Sequence, residues 1–279
     1  MRGTVELEDT VVVSVKGERW RQEIEGARSV VNRRGTRYSK PGHRVTLDQL
    51  DRGVRYEINL DAGTYAEEPL VGLGREQEAA IAAAEKVLGV EPAGLAPAVP
   101  AVDVTVTRTG ERQTVHGRAC ERVVLRAVKE VVLATTRGGG RPATTPSRFS
   151  DTFDVCVTPD TAETRELRAV ETRIAGLTGE RGPLLDRQLR VFDARRDLLA
   201  VFELMNRVLE GEQEKLGGLA VRWERIFTGP RRDQLEATLY RHRGEVSRLE
   251  GGSLGATAFE LPAGLTLDSR RGPARLPAP

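Results

Sequence analysis

The sequence of 279 residues predicts an α+β protein with one large curved antiparallel sheet and helices packed on one side. Two observations carry that expectation. Short runs in which apolar and polar residues alternate recur near both ends of the chain and through its middle, separated by turn residues. Between positions 160 and 209 the apolar spacing lengthens to that of a helix.

Taken in order, VVVSV (11–15), RWRQEI (19–24), RSVVNRR (28–34), HRVTLDQL (43–50) and VRYEINL (54–60) read as strands joined by the turns KGE, EGA, PG and DRG. In the last of these, Val54, Tyr56, Ile58 and Leu60 alternate with Arg55, Glu57 and Asn59, giving one dry face and one wet face. The alanine-rich stretch 75–89 predicts a short helix ended by Gly89, and the proline-rich stretch 90–101 a stiff connector. Strands resume at 102–109 with Val102, Val104 and Val106, continue through 112–136, and return at 150–159 after the loop RGGGRPATTPSR. Asp160 and Glu163 form a capping-box pattern, followed by Leu167, Val170, Ile174 and Leu177 at helical spacing. A second helix is predicted from about Leu185 to Leu209, with Leu189, Phe192, Leu199 and Phe202 on its stripe. Strands at 219–227, 234–242 and 245–251 and an extended piece at 258–268 close the fold. Residues 1–267 read as a single domain and 268–279 as a disordered tail.

Charge narrows the function. With 43 basic and 41 acidic residues the net charge is +2, which exerts little long-range pull on a polyanion. The sequence therefore implies no nucleic-acid partner. The basic residues are mostly arginine, a bias that a GC-rich coding sequence also produces. No run approaches the ~18 apolar residues of a membrane-spanning helix. An apolar leader segment is not visible after Met1, so the chain is cytoplasmic or lacks its export signal here.

Motifs for chemistry are weak. GLGREQE (72–78) lacks the third glycine of a dinucleotide fingerprint. His116 and Cys120 lie four apart in strand-like sequence, ~13 Å along the strand, too far for a proton relay. His43 and His242 are isolated in sequence, and no cofactor or metal site is expected. Cys120 shares parity with Arg118 and Arg122, and Cys156 with Asp154 and Thr158. Both thus point to the polar side of adjacent predicted strands, where either a disulfide or two free thiols fits the pattern. A bond would argue for an oxidising compartment.

The order of pieces, including the strand GGLAVRWERIF and above all the motifs TVHGRAC and AFELPAGL, resembles a family of uncharacterised bacterial envelope proteins placed with the LolA/LolB lipoprotein carriers, over about residues 10 to 267. The resemblance implies an incomplete barrel lidded by helices on its concave side. It further implies a non-catalytic role in the periplasm or another exported compartment, with a lipid or a lipoprotein acyl chain bound on the concave face. An envelope protein partner, or a filled core serving only as an interaction module, is the alternative. On this view Val54, Tyr56, Ile58 and Leu60 face the helices and the ligand, with Trp20, Ile24, Val104, Val106 and Trp223 as neighbours.

Overall fold

The structure, a computed structural model, describes residues 3–32, 34–74, 102–135, 143–179, 196–231, 234–251 and 254–268. Five strands come first: β1 (Gly3–Lys16), β2 (Arg19–Asn32), β3 (Arg37–Gln49), β4 (Val54–Asn59) and β5 (Thr64–Pro69). Next are β6 (Asp103–Val115), β7 (Arg118–Thr135) and β8 (Ala143–Val157). Helices α1 (Ala162–Thr178) and α2 (Arg196–Glu214) lead to β9 (Ala220–Arg231), β10 (Gln234–Gly251) and the short β11 (Thr266–Leu267). The predicted helix at 75–89 and the connector at 90–101 lie outside the described residues, as do 185–195 of the second predicted helix and nearly all of the predicted tail.

All eleven strands belong to one open sheet in the order β11-β5-β4-β3-β2-β1-β10-β9-β8-β7-β6. It is mixed, which corrects the purely antiparallel expectation. Two antiparallel meanders meet where β10 docks in parallel on β1, and β11 joins β5 in parallel. The turns follow local chemistry. His116 and Gly117 both have positive φ (45° and 81°), as a two-residue hairpin between Val115 and Arg118 requires. Pairing also runs further than the alternation suggested. β8 begins at Ala143, inside the predicted loop, and β10 is one strand with a register shift against β1 between Val11 and Val12.

Register divides the side chains between two faces. Val5, Leu7, Val11, Val13 and Val15 of β1 share a face with Trp20 and Ile24 of β2 and with Tyr240 and Val246 of β10. On the same face lie Phe227, Trp223, Val155, Phe153, Leu125 and Val123. Both helices pack here, through Leu167, Val170 and Ile174 of α1 and Val201, Phe202, Met205 and Leu209 of α2. Leu177, expected on the α1 stripe, is instead exposed. The cap of α1 sits one residue later than predicted. Thr164 N–H donates to Thr161 Oγ1 (3.2 Å), and Thr161 N–H donates to Thr164 Oγ1 (2.8 Å).

A buried polar cluster ties α2 to the sheet. Arg225 of β9 donates from Nε and Nη2 to Asp151 of β8 (3.0 and 2.5 Å) and from Nη1 to Asn206 of α2 (2.5 Å). Its guanidinium lies 4.6 Å from the centroid of the Phe202 ring. Because every charge is paired and hydrogen-bonded, the group survives in the core.

On the opposite face the last segment forms a strap. After β10 the chain makes a 3-10 turn at Ala256–Phe259 and reaches β5 at the far end of the sheet. Gln49 Nε2 donates to the Phe259 carbonyl (2.6 Å), and Arg19 pairs with Glu260 (2.8 Å) and Asp51 (3.1 Å). Leu261 and Leu265 of the strap cover Val45, Leu47 and Ile58.

Candidate functional site

The structure splits the residues that the sequence grouped. Trp20, Ile24 and Trp223 belong to the core under the helices, and Val104 packs against it from β6. Val106 shares that face but is partly exposed. Val54, Tyr56, Ile58 and Leu60 do not join them. Ile58 pairs with Val45 and Tyr56 with Leu47, whereas Trp20 and Ile24 pair with Asp48 and Arg44. The dry side of the β3–β4 hairpin therefore faces away from the helices and is covered by the strap, with Tyr56, Leu60 and Tyr65 at its margin. On the helix-bearing side the same hairpin carries Asp48 and Arg55, paired at 2.6 Å and buried. The dry side changes over between β2 and β3 because the covering changes: helices on one side, strap on the other.

The helix-bearing face has one feature that the sequence reading passed over. In register across five strands lie Phe227, Tyr240, Val5, Val30 and Tyr38. Their exposures are 0%, 6%, 4%, 39% and 65%. An unbroken apolar row thus climbs from the aromatic core, where Phe149, Phe202 and Phe227 stack or meet edge-on, to open solvent. Exposed apolar residues in line with a core mark a surface that prefers to be covered.

Beside this row stands a polar cluster. Asp9 and His242 are buried, with His242 Nε2 3.0 Å from Asp9 Oδ2. Trp223 Nε1 lies 3.4 Å from the same histidine nitrogen, and Arg44 Nη2 lies 3.8 Å from Asp9. Glycines make the room. The Asp9 carboxylate lies where a side chain at Gly26 would stand, and the Trp223 ring occupies the corresponding place at Gly244. So His242, isolated in sequence, gains a carboxylate partner through the β1–β10 seam. His43 likewise meets Glu23 (2.7 Å) and His116 meets Glu245 (2.8 Å), both at the surface.

Cys120 and Cys156 are bonded, with Cα atoms 5.4 Å apart. They point away from the helices, as their parity indicated, but the spot is dry. Val115, Val221 and Leu219 enclose them. Val221 reaches this side because pairing slips between Cys156 and Val157, and such a slip turns side chains over. Among the described residues no group of His, Cys, Asp and Glu could hold a metal ion, and no helix is long and apolar enough to cross a membrane.

No family model, curated protein or solved structure matches this chain.

The geometry must therefore speak alone. It offers an apolar track, a neighbouring polar cluster and a wall of helices on one face of an open sheet. Sequence could have flagged Val30 and Tyr38, since RSVVNRR and RYS are β-prone stretches with apolar residues among polar ones. It had no means of placing them in line with Val5 and with Tyr240, the latter more than 200 positions away.

Proposed function

We propose that the protein binds an apolar, lipid-like ligand on the helix-bearing face of its sheet, which we take as the concave one, and acts as a non-catalytic carrier in the bacterial cell envelope. The observation that carries this reading is the row from Phe227 to Tyr38. The exposed Val30 and Tyr38, in register with the buried end of the row, give an apolar tail a continuous surface to lie on. The open sheet supports it, since helices resting on one apolar wall can part more easily than a closed barrel can open. The bonded cysteines support an exported location.

Native mass spectrometry of protein purified gently from its own host tests the reading. The expected result is a reproducible adduct of lipid mass that is lost in Tyr38→Asp and Val30→Asp variants. A bare mass, together with no uptake of added lipids, overturns it.

A second reading rests on β6. Among the described residues this strand of 13 residues ends the sheet, and most of its residues are exposed. Its outer edge fits strand addition by a partner protein. Arg108, Glu111, Arg112 and the irregular pairing between Arg108 and Arg112 guard it against indiscriminate pairing.

A further inference from the structure

We infer that the ligand is an anionic amphiphile, with its tail along Val5, Val30 and Tyr38 and its charged head against Arg28 and Lys40. The inference rests on the apolar-ligand reading and adds the head to it.

Arg28 and Lys40 form the next row along β2 and β3, two residues from Val30 and Tyr38 and therefore ~7 Å away. Leu7, a core residue, is the β1 partner of Arg28, so both cations rise on the helix-bearing face. They are directly opposite each other, and both are exposed. Like charges in opposed positions repel, and among the described residues neither side chain has an ion-pair partner. A bound anion removes that repulsion.

The adjoining row supplies space. Gly42 opposes Gly26, and nothing lies within 4 Å of the place where a side chain at Gly42 would begin. The resulting notch on β3 is bounded by Lys40 on one side and Arg44 on the other. The acid facing it is Asp9, already held by His242 and Arg44. Arg28 and Lys40, neither of them in an ion pair among the described residues, leave positive charge beside the end of an apolar track. That is the pattern of a carboxylate or phosphate head on an acyl tail.

The test compares palmitate with 1-palmitoylglycerol, which share a tail and differ in head charge, by titration calorimetry at low and high salt. The wild type is expected to bind palmitate about tenfold more tightly, with the preference shrinking as salt rises. Arg28→Gln/Lys40→Gln should abolish the preference and leave 1-palmitoylglycerol binding unchanged, which also shows that the variant is folded. Equal binding of the two by the wild type, or a preference that survives the double substitution, overturns the anionic head and leaves the apolar-ligand reading standing. Binding of neither overturns both. Inorganic phosphate that binds as tightly without a tail overturns the amphiphile in favour of a free-anion site.

Discussion

At the scale of single residues, the buried charges set the most specific expectations. Burial pushes the Glu171 carboxyl of α1 up to about 7, against the opposing pull of Arg168. Between the ordinary value of 4.5 and about 7 the folded protein holds a proton that the unfolded chain has lost. Stability therefore falls as pH rises through that window. Glu171→Gln should stabilise the protein by about 2–3 kcal/mol at pH 8 and hardly at all at pH 4, as read from urea midpoints at the two pH values. Arg225 tests a different principle. Arg225→Met leaves Asp151 charged and hidden, and should cost about 3–5 kcal/mol. The double change Arg225→Met/Asp151→Leu should recover most of that loss, since the replaced pair is then apolar throughout. A double-mutant cycle in urea shows whether it does. Lys129, buried on β7 with its amine pushed towards the neutral form by desolvation, is a further charged group that the alternation pattern of the sequence did not single out.

Secondary elements depend on what covers them. The strap is the sole described cover of the Val45–Leu47–Ile58 cluster, and Phe259 is its most deeply buried side chain. Phe259→Ala should destabilise by about 3–5 kcal/mol and make β3–β5 the first region cut in limited proteolysis. Opening the Cys120–Cys156 bond, which spans 36 positions, should cost about 4 kcal/mol, measured by melting with and without reductant. Much at this scale was legible in the sequence. The meander of β1 to β4, the return strand and the stripe of Leu167, Val170 and Ile174 follow from periodicity alone. The side on which the β3–β4 hairpin is dry did not. Alternation shows that one face of a strand is apolar, and is blind to which layer that face meets. Val31 pairs with Arg37, so even-numbered residues of β2 face even-numbered residues of β3, and Val45 cannot share a side with Ile24. Until that pairing is known, Tyr56 and Trp20 look like neighbours.

For the whole molecule, the distribution of charge follows the faces. Arg122 with Asp154 and Glu111, Glu224 with Arg241 and Arg243, and Arg37 with Glu6 lie on the side away from the helices. Exposed pairs of this kind add little stability each. They keep a broad sheet face wet, with its arginines engaged by neighbouring carboxylates. The proposed amphiphile site would draw instead on Arg28 and Lys40 of the other side. The seam between β1 and β10 has a consequence of another kind, for the order of events at the ribosome. Thr4 Oγ1 donates to the Thr238 carbonyl across 234 positions of the chain. A nascent chain therefore emerges with its first strand lacking one neighbour, and keeps that open edge until almost the last strand has been made. Such distant pairing is slow to form, and the waiting edge is prone to pair with the wrong chain. A protein built this way gains from being held unfolded by a chaperone until β10 has been made.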